Sequence, residues 1–186
     1  MDFREEREEM AVLKIIEYPD PILRQKSRNI EKWNEDLDKL IKDMMDTLDE
    51  VPGLGLAAVQ VGVPVQIFVY DANLGKEEKN RYAVVINPEI VFKDGEIKDE
   101  EGCLSIPDYR DSVVRAAVVR VKVFDQEGNS IELGCDGLLA RMFQHEIDHL
   151  NGILFIDRLS SLKKSLFLRR MKKLQKQSKG ELSAKS

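Results

Sequence analysis

The order of hydrophobic patterns along the chain constrains its fold more than any other feature. Residues 35–50 carry apolar side chains at helical spacing, and Asn34 is a suitable N-terminal cap for that helix. Segments rich in β-branched and aromatic residues follow between residues 65 and 134. Two further helical patterns cover about 138–150 and 160–177. This order favours an α+β fold with mainly antiparallel sheet over an alternating parallel α/β fold.

The strand-like region divides into short segments separated by turn residues. We expect 89–92 and 95–98 to form a hairpin. Residues 117–124 alternate apolar and charged side chains and should pair with 130–134. The predicted strands are 65–70, 82–87, 89–92, 95–98, 117–124 and 130–134.

Composition excludes several classes of protein. The chain has 186 residues, enough for a domain with its own core, and we predict a single domain over 1–186. It has no apolar stretch near the roughly 20 residues that span a membrane, and its charged first residues lack the apolar centre of a secretion signal. Two cysteines cannot form a disulfide framework. We therefore expect a cytoplasmic protein without membrane contact.

Charge is distributed unevenly along the chain. Residues 158–186 carry a net charge of +9, whereas residues 1–157 carry −14, which together give the overall −5. A basic C-terminal helix and tail on an acidic body indicates contact with something anionic, although a solvated basic helix without a partner explains the charge equally well. Residues 1–10 are almost all charged, and we predict a frayed N-terminal extension there.

Both histidines of the chain lie in the pentapeptide HEIDH at 145–149. On a helix, positions four apart share a face, so His145 and His149 can direct two imidazoles at one point. Glu146 lies beside them and can reach a water bound there. This pattern matches the zinc signature H-E-x-x-H, in which the glutamate is a general base. The alternative is a surface helix with two histidines and no metal.

A catalytic metal needs a third protein ligand and an open position for water. No third histidine exists, and after His149 the chain offers only Asp157 and Glu181 as carboxylates. A cysteine or an upstream carboxylate therefore remains. Spacing alone does not choose between Cys103 and Cys135, and either could be a small buried apolar residue.

The segment GLGLAAVQ at 53–60 is a further candidate for function. It lacks the Lys-Ser/Thr of a phosphate loop and the third glycine of a dinucleotide site. Its glycines and alanines leave room for close approach to the backbone, and the Gln60 amide can donate two hydrogen bonds. A turn with small residues for packing is the simpler explanation of this segment alone.

Three segments together resemble the peptide deformylase family. GLGLAAVQ at 53–60, EGCLS at 101–105 and QHEIDHLNG at 144–152 are similar to that family's three motifs, in the family's order and with similar spacing. The resemblance covers roughly residues 12–175. It implies mainly antiparallel β-sheets around a central metal-binding helix, with an N-terminal and a C-terminal helix.

The resemblance also implies the ligands of the metal. It makes Cys103 the third ligand beside His145 and His149, and it leaves Cys135 structural. It implies Fe²⁺ as the physiological ion, with Zn²⁺ a slower substitute. A thiolate ligand is soft, so it suits Fe²⁺, Co²⁺, Ni²⁺ or Zn²⁺ better than Mg²⁺ or Ca²⁺.

The implied reaction removes the formyl group from the N-terminal methionine of newly synthesised proteins and releases formate. Glu146 would be the general base for a water activated by the metal. Gln60 and the backbone N–H of Leu104 would donate to the developing oxyanion, each contributing roughly 3 kcal/mol to barrier lowering. Gly55 and its neighbours would pair with an extended substrate backbone.

We expect the pocket for the methionine side chain to be apolar and to lie just before His145 on its helix. The stem of Arg141 would lie in the pocket with its charged head in solvent, and Met142 would contact the substrate thioether. Some of these residues could instead belong to the ordinary core. The substrate-binding candidates are Leu138, Arg141 and Met142, with Leu56 opposite, and Glu101 and Arg110 framing the cleft.

Two further expectations concern the last two helices. Asp148 is an acidic residue in a mostly apolar helix, and we predict that it faces away from the metal and pairs with Arg115. In bacterial members of the family the C-terminal helix docks on the ribosome. The resemblance and the basic charge of 158–186 therefore predict contact with ribosomal RNA, weakened by salt.

Two rival functions remain open. A zinc endopeptidase could use HEIDH, but it would cleave internal peptide bonds and would use a different third ligand. A non-enzymatic RNA-binding module could carry a structural metal with four closed ligands. We favour the deformylase, and we expect N-formyl-methionyl nascent peptides as its substrates, the ribosome as a partner and no contact with DNA.

Overall fold

The computed structural model describes residues 11–74, 81–125 and 128–183. The predicted extension at 1–10 lies outside these residues. The described residues form three α-helices, which are α1 Glu35–Asp49, α2 Gly137–Leu150 and α3 Ser161–Ser183. The same residues form seven strands, which are β1 Gly55–Ala57, β2 Ile67–Asp71, β3 Tyr82–Asp94, β4 Ile97–Cys103, β5 Ile106–Arg115, β6 Val118–Phe124 and β7 Ser130–Asp136. Short 3₁₀ turns cover Pro21–Arg24, Ala58–Val61 and Phe155–Arg158.

The strands form two separate antiparallel sheets. The larger sheet has five strands in the order β1-β2-β3-β6-β7, and the smaller is the hairpin β4-β5. The predicted α+β fold with mainly antiparallel sheets is therefore confirmed.

Helix α1 begins where the sequence predicts. The side chain of Asn34 accepts a hydrogen bond from the backbone N–H of Leu37 at 3.0 Å, which satisfies one of the free donors of the first turn. The apolar face of the helix, including Met44 and Leu48, is buried against β1 and β2. The N-terminal helix is thereby fixed on one side of the five-stranded sheet.

The predicted hairpin between 89–92 and 95–98 is wrong. Strand β3 continues through Asp94 and pairs with β6, whereas β4 pairs with β5. The chain leaves the larger sheet at Gly95, whose φ of +61° is readily adopted by glycine. The strand after this turn joins the smaller sheet instead of folding back onto β3.

The predicted pairing of 117–124 with 130–134 is confirmed in β6 and β7.

Helix α2 lies in the interior, against β1, β6 and β7. Its apolar residues Phe143, Ile147 and Leu150 pack with the valines of β6 in one core cluster. Several polar residues of the same helix are also buried, including Glu146 and His149. Burial of polar groups is costly unless they are paired. The elements around this helix must therefore supply hydrogen-bond partners or a bound ion for its buried polar side chains.

Helix α3 packs against the body through only part of its surface. Phe167 is buried with Tyr18, Tyr109 and Phe155 in a third core cluster. Leu162 and Leu166 of the same helix are 69% and 53% exposed. None of the described helices combines the length and apolar character needed to cross a membrane.

Candidate metal centre and its cleft

The two sheets and α2 bring one cysteine to the two histidines. Cys103 ends β4, while His145 and His149 lie one turn apart on α2. The Sγ atom of Cys103 is 3.1 Å from Nε2 of His149, and one ligand atom from each of the three residues lies within 4.8 Å of the others. Cys135 instead packs in the core beneath the larger sheet. One thiol and two imidazoles at this spacing suit a divalent transition metal.

The shape of the β4-β5 hairpin positions Cys103. The register of the two strands shifts between Gly102 and Cys103, so Cys103 pairs with Ile106 across a tight turn. Leu104 and Ser105 form this turn. An irregularity of this kind redirects a side chain at the end of a strand. Here it presents the sulfur to α2 and leaves Leu104 at the wall of the cleft.

A buried carboxylate supports the first histidine. Oε2 of Glu101 lies 3.0 Å from Nδ1 of His145, and both oxygens of Glu101 accept hydrogen bonds from Arg115 at 2.6 and 2.9 Å. Burial raises the pKa of Glu101, but the hydrogen bonds from His145 and Arg115 outweigh it and lower the pKa to about 2. A carboxylate on the second nitrogen of a ligating histidine fixes the ring orientation.

The predicted pairing of Asp148 with Arg115 is confirmed. Nη1 of Arg115 donates to Oδ2 of Asp148 at 2.7 Å, and the two side chains are 3% and 10% exposed. Sequence reasoning did not find the second partner of Asp148, Arg158, which donates from Nε at 3.1 Å and from Nη2 at 2.6 Å. No local pattern in the sequence indicates this contact.

Glu146 is buried at the cleft beside Gly55. A Cβ atom on Gly55 would lie 2.7 Å from Oε1 of Glu146, so only glycine leaves space for the carboxylate. Oε2 of Glu146 is buried and has no hydrogen-bond partner among the described residues. Burial raises the pKa of Glu146 to about 7, although the charges of His145 and Arg115 oppose the rise. An unpaired carboxylate oxygen next to the cysteine–histidine cluster fits a site that holds a metal and a water.

Gln60 is fixed by its own turn. Its Oε1 accepts a hydrogen bond from the backbone N–H of Ala57 at 2.8 Å. Its Nε2 donates to the hydroxyl of Ser105 at 3.2 Å and lies 3.6 Å from Sγ of Cys103. The amide nitrogen is therefore directed at the cysteine. The sequence did not single out Ser105, although it is fully buried within the EGCLS segment.

A cleft of about 1190 Å³ opens onto this cluster. His149 and Leu56 are absent from its lining. The predicted site residues that line it are Gly55, Gln60, Glu101, Cys103, Leu104, Arg110, Leu138, Arg141, Met142, His145 and Glu146.

Two predicted substrate contacts differ from expectation. The side chain of Leu56 is fully buried on the α1 side of the sheet, because successive strand residues point to opposite faces. Leu54 lines the cleft instead. The head of Arg141 is not in solvent: it forms an ion pair with Asp99 and donates to the carbonyl of Glu100 at 2.7 Å. Arg141 therefore ties α2 to β4.

An H-E-x-x-H pair on a buried helix, with a glutamate beside it and a cysteine as a third ligand, is the site of a metal-dependent hydrolase. The polypeptide deformylase family model matches residues 12–165. A peptide deformylase from Acidobacterium capsulatum is 45% identical over 167 residues, covering 90% of this chain and 98% of the relative. One from Syntrophobacter fumaroxidans is 49% identical over 164 residues, covering 88% and 96%.

A solved structure agrees with these relatives. The crystal structure of a peptide deformylase from Legionella pneumophila superposes with a TM-score of 0.79 at 45% identity, covering 90% of this chain and 98% of that one. The chain therefore belongs to the polypeptide deformylase family. It is a metal-dependent hydrolase that removes N-formyl groups.

Proposed function

We propose that this enzyme removes the formyl group from the N-terminal methionine of nascent chains, with Cys103, His145 and His149 holding one divalent metal. The observation that carries the proposal is the spacing of these three ligand atoms, all within 4.8 Å of one another beside the cleft. When bound, such a metal lowers the pKa of a water and polarises a carbonyl oxygen.

Glu146 is the proposed general base. Its free Oε2 accepts a proton from the attacking water as the water oxygen bonds to the formyl carbon. The same carboxyl then passes that proton to the leaving amine as the C–N bond breaks. The products are formate and a peptide with a free N-terminal methionine. Burial of Glu146 supports this role, because desolvation raises the pKa of the carboxyl and favours its uptake of a proton.

Gln60 and the backbone N–H of Leu104 are the proposed oxyanion donors. The fixed orientation of the Gln60 amide supports this role, because a donor held in place needs no reorganisation during the reaction. Leu104 follows Cys103 directly in the turn that borders the cleft. A negative charge developing near the sulfur would therefore meet two donors.

The proposed substrate lies extended along β1, with its backbone near Gly55. Its methionine side chain enters the part of the cleft lined by Leu138, Met142 and the stem of Arg141. Glu101 and Arg110 border the same cleft. A flexible thioether side chain such as Met142 packs well against another thioether. The exposed Arg110, held by Glu100 at 2.8 Å, is available to the residues that follow methionine.

Fe²⁺ is the proposed physiological metal, and Zn²⁺, Ni²⁺ or Co²⁺ are substitutes in purified protein. The donor set supports this choice, since one thiolate and two imidazoles favour soft and borderline ions over Mg²⁺ or Ca²⁺.

The test is an assay of both rival hydrolase activities on one sample. Protein purified without oxygen and analysed for metal is incubated with a formyl-methionyl tripeptide and with an unformylated peptide. We expect stoichiometric formate from the first and no internal cleavage of either. Internal cleavage without formate would instead identify an endopeptidase and would contradict the proposal.

We also propose that α3 contacts ribosomal RNA near the exit of new chains, in the cytoplasm where formylated chains emerge. The +9 charge of 158–186 supports this contact. The exposure of Leu162 and Leu166 shows only that part of α3 is left uncovered by the body. The test is co-sedimentation with ribosomes at rising salt, comparing the full chain with a chain ending at Ser160. Equal binding of both chains would reject the contact. Steep loss of binding with salt is the expected result for the full chain.

A further inference from the structure

A continuous chain of charged side chains runs from His145 to the turn before α3. Nδ1 of His145 faces Glu101 at 3.0 Å, and Glu101 is held by Arg115 at 2.6 and 2.9 Å. Arg115 then donates to Asp148 at 2.7 Å. The last member, Arg158, donates twice to Asp148, at 3.1 and 2.6 Å. Arg158 is thus four contacts away from the histidine but connected to it by hydrogen bonds throughout.

When His145 is neutral, as a metal-ligating histidine must be, the charges of this network balance only if Arg158 is included. The side chains of Glu101, Arg115 and Asp148 are 6%, 3% and 10% exposed, and together they carry a net charge of −1. Arg158, 42% exposed, brings the sum to zero. Arg141, whose Nε lies 3.8 Å from Glu101, is already paired with Asp99. A buried charge that loses its partner is strongly destabilising.

Asp148 is therefore shared between two guanidinium groups. Its Oδ1 accepts from Arg158, and its Oδ2 accepts from both Arg115 and Arg158. Without Arg158, Asp148 has Arg115 as its remaining charged contact in this network. Arg115 would then shift toward Asp148 and hold Glu101 less tightly. When Glu101 is held less tightly, the imidazole of His145 is free to rotate. His145 then binds the metal more weakly, because Glu101 no longer fixes the orientation of its ring.

We propose that Arg158 is a positioning residue for His145, acting through Asp148, Arg115 and Glu101. The inference rests on the proposed metal ligands. Arg158 is the last residue of the 3₁₀ turn Phe155–Arg158, and α3 begins at Ser161. The network therefore connects the metal centre to the base of the C-terminal helix.

The test measures how fast a bound metal leaves the protein, a property that does not depend on turnover. Enzyme loaded with Co²⁺ is mixed with excess chelator, and loss of the cobalt absorption bands is followed. Removing a direct partner of a ligating histidine costs 10–100-fold in affinity, so we expect R158Q, further along the network, to release Co²⁺ about 3–10-fold faster. R158K, which keeps the charge but loses the bidentate geometry, should recover part of the difference.

The matched control is K164Q. Lys164 is 39% exposed and pairs with Asp157 of the same 3₁₀ turn, but it has no contact with Asp148 among the described hydrogen bonds and ion pairs. We expect K164Q to release Co²⁺ at the wild-type rate, even if its Tm falls as much as that of R158Q. Equal acceleration in both variants would show a general loosening of the turn and would overturn the proposal.

A double variant tests the route through Glu101. If Arg158 acts through that carboxylate, then E101Q and the pair E101Q/R158Q should release Co²⁺ at the same rate. If the double variant instead releases Co²⁺ faster than E101Q, by the factor that R158Q shows alone, the proposal is overturned. An unchanged release rate in R158Q would also overturn it.

The proposed ligand set has its own check, since wild-type protein must bind one equivalent of Co²⁺ and C103A must not. Failure there would reject the ligands and this inference together, whereas failure of R158Q alone would leave the ligands intact.

Discussion

At the scale of single residues, the site depends on space as much as on charge. Gly55 is the clearest case, because its missing side chain makes room for the Glu146 carboxylate. The sequence alone indicated that small residues at 53–60 allow close approach to the backbone. It could not show that the approaching group is a glutamate from α2, because the two positions are 91 residues apart.

Gly55→Ala should reduce turnover by about 10–100-fold. The added Cβ would lie 2.7 Å from Oε1 of Glu146, so the carboxylate must move. A misplacement of about 1 Å at a reacting group can cost about two orders of magnitude in rate. Formate release at saturating substrate measures the effect. Gly134→Ala is the control, because its Cβ would meet nothing within 4 Å. Full activity in Gly55→Ala would show that the position of Glu146 is not limiting.

Glu146→Gln should keep the metal and lose about 10²–10⁴-fold in turnover. The amide has nearly the same shape as the carboxylate but cannot accept the proton of water, and general-base catalysis contributes a factor of this size. Metal analysis and a formate assay on the same sample measure both properties. A variant that keeps more than a tenth of the wild-type turnover would contradict the assignment of the base.

At the scale of elements, local patterns predicted the helices well and the strand partners less well. Periodicity and the Asn34 cap located α1, and alternation located β6 and its partner β7. The hairpin error arose because 89–92 pairs with β6, about 30 residues later, and a local pattern carries no information about such a distant partner. Leu56 was misplaced for a related reason, because β1 has three residues and too little alternation to show which face is buried.

One carboxylate joins three elements and gives a pH-dependent prediction. Asp157 accepts hydrogen bonds from the Leu154 backbone at 2.9 Å and from Lys164 of α3 at 2.7 Å, and it also pairs with Arg24. Burial raises the pKa of Asp157, but Arg24 and Lys164 outweigh it and lower the pKa below its ordinary value. A lowered pKa stabilises the fold above the ordinary aspartate pKa, and that stability is lost as pH falls through the lowered value.

Asp157→Asn should therefore lower stability at pH 7 by up to about 1 kcal/mol, or roughly 2–4 °C in Tm for a chain of this length. The difference from wild type should shrink as pH falls below about 4, where the wild-type carboxyl becomes neutral too. Thermal melts followed by circular dichroism between pH 3 and pH 7 test this. A difference that stays constant over that range would contradict the role of the charge.

At the scale of the whole molecule, the fold joins residues that are far apart in sequence. Cys103 comes from the small sheet and the histidines come from a helix that follows the large one, 42 positions or more later. The HEIDH pattern predicted the histidine pair, but residue spacing left Cys103 and Cys135 equal. Only the resemblance to a family, and then the fold, separated them. Of the charge network ending at Arg158, the sequence predicted the link between Asp148 and Arg115. The link to Arg158 had no sequence signal, because it joins two different elements.

The most direct measurement is the metal content of two matched cysteine variants. Cys103→Ala and Cys135→Ala each remove one thiol from a chain that has two, and only Cys103 lies at the histidine pair. Both variants are purified without oxygen and analysed for bound metal beside wild type. We expect Cys135→Ala to keep about one equivalent of metal and Cys103→Ala to lose it. Full metal in Cys103→Ala, or its loss from Cys135→Ala in folded protein, would contradict the proposed ligand set.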